Sequence, residues 1–316
     1  KGLREEYREF LEISQTPEGV LVKFNPHGMR GTRNESLVFE IGLPNEFNID
    51  IETAGGDITV SAELRGNADV ETAGGDITFE GRLTGNLKGR TSGGDVEVDD
   101  ITGTLEVSTS GGDIDVGNVS GNAEVSTSGG DIEIKMVQGN LNAETSGGDI
   151  SVDQVTGDAS LETAGGDLEI GSVGGNLEAE TAGGDISAES VGGTTKAETA
   201  GGDLRMEKLG GNFKAATVGG DVMVSLAGSY GGEMDTIGGD LVLMLPASAQ
   251  VSIKAEIKLG EEDSDRISPI TSEFGTIELK RKAFLKSVSS SFDINGGGPL
   301  IELSNLNGSI AVKKLP

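Results

Sequence analysis

Residues 165–182 read "GGDLEIGSVGGNLEAETA" and contain the pattern that decides the fold. The stretch divides into two nine-residue halves, each with paired glycines, a small polar residue and an apolar-x-apolar run. Alternate side chains of an extended strand point to opposite faces, so Leu168 and Ile170 share one face and Glu169 takes the other. Each unit therefore predicts two short, one-sided strands joined by two turns.

This unit recurs along most of the chain. The tripeptide Gly-Gly-Asp occurs eleven times at a spacing of 18 or 19 residues, with its aspartate at Asp57, Asp76, Asp95, Asp113, Asp131, Asp149, Asp167, Asp185, Asp203, Asp221 and Asp240. A short fixed period is typical of a solenoid, in which each unit buries its apolar face against its neighbours. With strands ~4.8 Å apart, eleven coils predict a rod roughly 50 Å long.

Stacking of like residues predicts two inward columns. The first follows the aspartates and contains Ile58, Ile77, Val96, Ile114, Ile132, Ile150, Leu168, Ile186, Leu204 and Val222. The second contains Val119, Val137, Val155, Val173, Val191 and Leu209. A triangular left-handed helix needs three six-residue units in each 18-residue coil, whereas this coil divides into two units of nine. Crossover connections between parallel strands are right-handed in most proteins, so we expect a right-handed coil. We predict an all-β, right-handed parallel β-solenoid of about eleven to twelve coils of 18–19 residues, with flanking capping strands.

The polar residues at the turns form columns of their own. We expect the glycine pairs to supply positive φ angles at the corners, and the neighbouring Asp or Asn to close an Asx turn. A threonine column should form an internal hydrogen-bonded ladder, and it contains Thr53, Thr72, Thr91, Thr109, Thr127, Thr145, Thr163, Thr181, Thr199, Thr217 and Thr236.

The repeat divides the chain into three regions of one continuous domain. Residues 1–51 form N-terminal strands and a cap, with strand-like runs "EFLEIS", "VLVKF", "SLVFEIGLP" and "FNIDIE". Residues 52–245 are the repetitive solenoid. Residues 246–316 hold an excursion to residue 295 and then a terminal coil within "GGGPLIELSNLNGSIAVKK".

Composition excludes several classes of partner. The chain has 53 acidic and 24 basic residues, a formal charge of −29, which repels nucleic acid and anionic lipid. It has no cysteine, so disulfides and thiolate chemistry are excluded. No apolar run is long enough to span a bilayer. Because the chain begins at Lys1 without an initiator Met, we expect a secreted or cell-envelope protein whose signal peptide has been removed.

Nothing in the pattern predicts an enzyme. Large β-helices include polysaccharide-active enzymes, and a carboxylate pair is the alternative to consider, but a catalytic pair should interrupt the repeat, whereas these aspartates constitute it. His27 is the only histidine and has no partner for catalysis or metal binding. We therefore expect no catalytic residues, no cofactor and no metal ligand set.

The aspartate column leaves one alternative open. Nonapeptide halves with Gly-Gly and Asp are similar to those of calcium-binding β-rolls, but that motif is GGxGxD, and here an apolar residue follows the aspartate at once. Stacked carboxylates ~4.8 Å apart repel by roughly 0.9 kcal/mol per pair in water, which favours a cation without requiring one. The two interpretations are turn capping and a calcium-binding solenoid module.

An "IGLP" run, repeated "T-[AS]-G-G-D-[IVL]-x-[VI]" coils, a closing "GGDLVLMLP" and a final "LNGSIAVKK" resemble a bacterial adhesin family of extracytoplasmic β-solenoids, related to head-GIN-type autotransporter adhesin domains. The resemblance covers about residues 37–316. It implies a β-helix in the envelope or outside the cell.

Together these features predict a non-catalytic surface or secreted scaffold. Its partner would be an unknown envelope protein, a glycan or another copy of itself. A contact patch is expected at the irregular coils "KMVQGN", "LRMEKLGGNFKAATV" and "SLAGSYGGEMDTIGGD", where exposed Lys, Met and aromatic side chains would interrupt the acidic pattern.

Overall fold

The computed structural model describes residues 10–16, 19–24, 38–258, 270–282 and 287–316. These residues contain no α-helix, and thus no helix long and apolar enough to cross a membrane. The chain divides into two compact units, Lys1–Leu43 and Pro44–Pro316.

The first unit contains an antiparallel hairpin. Strands β1 (Leu11–Thr16) and β2 (Gly19–Phe24) pair from Leu11↔Phe24 to Thr16↔Gly19, which confirms the two predicted strands. The ring centroids of Phe24 and Phe39 lie 5.4 Å apart. The strand predicted over "SLVFEIGLP" is wrong for residues 38–44, which carry no strand. Apolar alternation alone is insufficient, because a strand is stabilised by cross-strand pairs and these residues have none.

The second unit consists of two fifteen-stranded sheets. Sheet I contains β4 (Ile58–Val60), β5 (Leu64–Arg65), β7 (Ile77–Phe79), β8 (Leu83–Thr84), β10 (Val96–Ile101), β12 (Ile114–Val119), β14 (Ile132–Val137), β16 (Ile150–Val155), β18 (Leu168–Val173), β20 (Ile186–Val191), β22 (Leu204–Leu209), β24 (Val222–Leu226), β26 (Leu241–Leu245), β28 (Ile270–Ser272) and β32 (Ile310–Lys314).

Sheet II contains β3 (Ile49–Thr53), β6 (Ala68–Thr72), β9 (Leu87–Arg90), β11 (Leu105–Ser108), β13 (Ala123–Ser126), β15 (Leu141–Thr145), β17 (Ala159–Thr163), β19 (Leu177–Thr181), β21 (Thr195–Glu198), β23 (Phe213–Ala216), β25 (Gly232–Thr236), β27 (Val251–Lys258), β29 (Lys280–Lys282), β30 (Ser287–Ile294) and β31 (Leu300–Leu306). From β9 to β28 the chain alternates between the sheets, so one coil in this part is one strand from each.

Neighbouring coils pair in parallel with like residues in register, for example Ile132↔Ile150 and Val137↔Val155. The first predicted inward column is 0–5% exposed and the second 0–2%. The all-β parallel solenoid of about eleven turns of about 18 residues is thus confirmed. The right-handed sense stays a prediction from the crossover rule.

The core between the sheets is narrow and mostly aliphatic. Thr195 is an exception, because it takes a core position in register with Leu177 and Phe213. It is 1% exposed, and its hydroxyl is the only buried side-chain polar atom among the described residues without a hydrogen-bond partner. A buried hydroxyl that gains no hydrogen bond in exchange for water is destabilising.

Replacing Thr195 by the isosteric valine should therefore stabilise the protein. We expect Thr195→Val to raise the free energy of unfolding by about 1–2 kcal/mol, measured by denaturant unfolding. The matched control is Thr199→Val in the same coil. Thr199 Oγ1 donates to Gly184 O, so this change should lower stability. Equal effects at both positions would contradict the assignment.

Chain order and spatial order differ at the C-terminal end. In sheet II, β31 lies between β25 and β27, and in sheet I, β32 lies between β26 and β28. All four pairings are parallel. β30 then adds antiparallel to β27, and β29 antiparallel to β30. The coil made last in sequence is therefore enclosed by two coils made earlier.

Candidate functional site

The aspartate column lies at the corner where the chain passes from sheet II to sheet I, here called the Asp corner. From Asp57 to Asp221, the Oδ1 of each column aspartate accepts a hydrogen bond from the backbone N–H of the aspartate in the next coil, at 2.7–3.1 Å. The expected Asx turn within one coil is wrong. A second strand of backbone stacks directly above each turn, so the carboxylate caps its neighbour's N–H instead.

The glycine pairs at this corner do not have the positive φ angles that we expected, because no glycine of the Gly-Gly-Asp repeats is in the left-handed region. The physical reason for the second glycine is close stacking. A Cβ placed on Gly148 would overlap the Gly130 carbonyl oxygen and lie 2.5 Å from its carbonyl carbon. The first glycine is more open, since a Cβ on Gly147 would meet nothing nearer than 3.6 Å.

The threonine column forms the internal ladder that the sequence predicts. Each hydroxyl from Thr72 to Thr236 donates to a glycine carbonyl of the previous coil at 2.8–3.0 Å. The same oxygen accepts the N–H of the second glycine in its own turn. These threonines are 1–7% exposed. The ladder is confirmed, and it ties each turn to the next.

The opposite corner, where the chain passes from sheet I to sheet II, has a similar ladder built largely from asparagine. Its bonds run through Asn48, Asn67, Asn86, Asn122, Asn140, Asp158, Asn176 and Asn212. Where the next coil has neither asparagine nor aspartate, the backbone N–H of Thr104, Thr194 or Gly231 donates to the amide oxygen of the coil below. The amide oxygens here accept a backbone N–H of the next coil, as the carboxylates do at the Asp corner. A negative charge is therefore not needed for this hydrogen bond.

The terminal coil continues both ladders with different residues. Asn305 replaces threonine, donating to Gly239 O at 2.8 Å and accepting from Gly308 N at 3.0 Å. Ser309 replaces aspartate, and its N–H donates to Asp240 Oδ1 at 2.7 Å. Sequence analysis did not identify these two equivalents. The signal was available, since "NLNGS" aligns with "TIGGD" at residues 236–240.

Among the described residues, no three His, Asp or Glu side chains are grouped closely enough to hold a metal ion. Each corner aspartate from Asp57 to Asp240 has one oxygen engaged with backbone. Calcium binding stays a prediction to be tested. His27 lies outside the described residues.

The outward faces carry the charge. Residues 44–245 hold 37 acidic and nine basic residues, whereas residues 246–316 hold nine of each. On sheet II, Lys196 interrupts the acidic columns, and its Nζ lies 2.8 Å from Glu178 and 3.5 Å from Glu198, with Glu180 also in contact. Hydrogen bonds to Glu178 and Glu180 raise the pKa of Lys196. A hydrogen bond from Lys214 lowers the pKa of Glu198.

A shallow groove of about 530 Å³ follows the asparagine corner beside this cluster. It is lined by Asn140, Asp158, Ser160, Asn176, Glu178 and Lys196, among others. It exposes amides and carboxylates along several coils.

The irregular coils meet the expectation only in part, since their lysines are exposed but several of their large apolar side chains are not. Met206, Phe213 and Met234 are buried in the core and form no surface patch, because their positions in the coil point inward. Instead, Val218 and Ile237 are 51% and 48% exposed. They precede the glycine pairs at the Asp corner, where other coils carry Ala or Ser.

These features define a class of protein: a two-sheet repeat solenoid whose corners are closed by inter-coil hydrogen-bond ladders. A family model described as Toastrack DUF4097 matches residues 45–138 and 121–280, which together exceed half of the chain. The chain belongs to this family. No curated protein matches the chain, and no solved structure does. The relation to adhesins and head-GIN domains stays a prediction.

Proposed function

We propose that this protein is a non-catalytic scaffold of the cell envelope or the extracellular medium, whose rigid rod presents its outward faces to a partner. The proposal rests on the observation that the repeated polar side chains form hydrogen bonds between coils. The threonine, aspartate and asparagine columns are engaged in bonds between coils, so the repeat provides length and stiffness. The side chains that are left to contact a partner are those that point outward from the two sheets, and they recur in a regular order.

Those side chains recur at the spacing of the coils. On sheet II, Glu144, Glu162 and Glu180 are paired in register, and on sheet I, Glu97, Asp115 and Glu133 are paired likewise. A partner with a repeating structure, such as a glycan or an envelope polymer, would meet the same group at each step. The resemblance to extracytoplasmic solenoids supports the location, which protease accessibility of the tagged protein on intact cells would test.

The binding test compares the two faces at equal charge. A sheet II variant, Glu144→Gln with Glu162→Gln and Glu180→Gln, and a sheet I variant, Glu97→Gln with Asp115→Asn and Glu133→Gln, each lose three charges. Immobilised proteins are exposed to envelope extracts and to a panel of glycans. We expect one variant to lose the bound partner and the other to retain it.

Two outcomes would contradict the proposal. One is the capture of no envelope component or glycan by the unchanged protein. The other is cleavage of a polysaccharide, with turnover that disappears when one acidic pair is changed, since that would make the protein a polysaccharide-active β-helix enzyme.

A further inference from the structure

The terminal coil of β31 and β32 is inserted between coils that precede it in sequence. β31 pairs with β25 from Gly232↔Ile301 to Thr236↔Asn305, and with β27 along its whole length. Its core side chains are at most 1% exposed, and they are Ile301, Leu303, Ile310 and Val312. If this coil moved out, it would leave a slot one coil wide, bordered by β25 and β26 below and by β27 and β28 above.

A glycine-rich strap connects the coil to β30, the strand that precedes it in sequence. Residues 295–299, "NGGGP", carry the chain from β30 on one side of β27 to β31 on its other side. Asn295, Gly296 and Gly297 have φ angles of 51°, 94° and 82°. Left-handed geometry at two glycines costs little, so the strap is suited to act as a hinge.

The contacts of the terminal coil are determined by the register in which its strands pair with the neighbouring strands. Ser309 N–H donates to Asp240 Oδ1, and the Asn305 amide donates to Gly239 O, in the positions that aspartate and threonine take in the other coils of the Asp corner. A second copy of the chain would supply the same contacts from its own residues 300–314. Exchange of an identical terminal element preserves these interactions apart from those at the hinge, which makes it a low-cost route to association.

We propose that this slot is a self-association site, and that its partner is the terminal coil, residues 300–314, of a second copy. Opening must break the pairing with both β25 and β27, so exchange is slow in the dilute native protein. It increases with protein concentration and near the melting midpoint. The proposal goes beyond the scaffold role, and it stands whether or not the rod binds a glycan or an envelope protein.

Because the chain has no cysteine, engineered cysteines report exchange directly. Glu233 and Glu302 are exposed or half-buried and face each other in register. Neighbouring strands lie ~4.8 Å apart, within the Cα range of disulfides. One full-length chain carries Glu233→Cys and another carries Glu302→Cys. They are mixed, warmed to just below the melting midpoint, cooled and mildly oxidised. We expect a disulfide-linked heterodimer that increases with concentration.

Two controls make the result decisive. The pair Glu106→Cys and Glu124→Cys faces in register in the middle of the solenoid, so it measures random collision. A single chain with both Glu233→Cys and Glu302→Cys should close internally, which verifies the geometry. Heterodimer no greater than the collision control, with internal closure intact, would overturn the proposal.

A second readout needs no disulfide. Unlabelled and isotope-labelled wild-type chains are warmed together, cooled and measured by native mass spectrometry. Dimers of mixed mass support exchange, and monomers alone overturn it.

Discussion

Gly148→Ala should cost the protein about 4 kcal/mol or more of unfolding free energy. The added methyl would overlap the backbone of Gly130 and lie 2.6 Å from Asp131 Oδ1. Backbone cannot move aside as a flexible side chain can, so the two coils must separate. In a solenoid each unit contacts only its neighbours, and we expect the thermal unfolding curve to split into two transitions as the halves become uncoupled.

The control is Gly147→Ala at the neighbouring residue. Its added Cβ would make an ordinary contact of 3.6 Å with Gly129 O, and its φ is not left-handed. We expect a change within about 1 kcal/mol, because alanine also reduces the entropy of the unfolded chain. Calorimetry compares the two variants. Equal destabilisation would indicate that backbone conformation, and not coil stacking, requires the glycines.

Thr145→Val should have the second largest effect, lowering the free energy of unfolding by about 2–4 kcal/mol. The Thr145 hydroxyl donates to Gly130 O at 3.0 Å and accepts from Gly148 N at 3.3 Å. Valine keeps the volume and removes both bonds, leaving a carbonyl and an N–H of buried glycines without this partner.

Thr145→Ser keeps the hydroxyl and loses only a methyl group, so denaturant unfolding should give a loss of about 1 kcal/mol. If valine is tolerated better than serine, the threonine column stabilises by packing and not by its hydrogen bonds.

The solenoid and its inward columns could be predicted because strand alternation and a fixed period are local properties of the sequence. The corners could be predicted only in part. The expectation of positive φ at glycine rests on the conformation of one chain segment by itself. The second glycine of each pair, such as Gly148, is instead required because the backbone of the neighbouring coil leaves no room for a Cβ. Asp149 likewise caps the next coil through Asp167 N–H. Recurrence of these residues at stacked positions was the available signal.

The inserted terminal coil could not be predicted. The sequence ends with a coil-like segment, but its position between β25 and β27 depends on where the strands of residues 246–294 pair. Nor does the sequence distinguish a functional face, because outward acidic columns such as Glu162 and Glu169 are similar on both sheets. Because every coil repeats the same residue types, the repeat identifies the fold but does not distinguish a binding site from the rest of the surface.

The most direct test of the central claim, that the repeated aspartates serve the backbone of a scaffold and not a metal, is thermal unfolding by circular dichroism. Samples contain chelator, calcium chloride, or sodium chloride at the same ionic strength as the calcium. Both salts screen the stacked carboxylates, and Oδ1 is already bonded to the next coil. We expect equal increases in melting temperature in the two salts. A rise in calcium well beyond the sodium control, reversed by chelator, would contradict it.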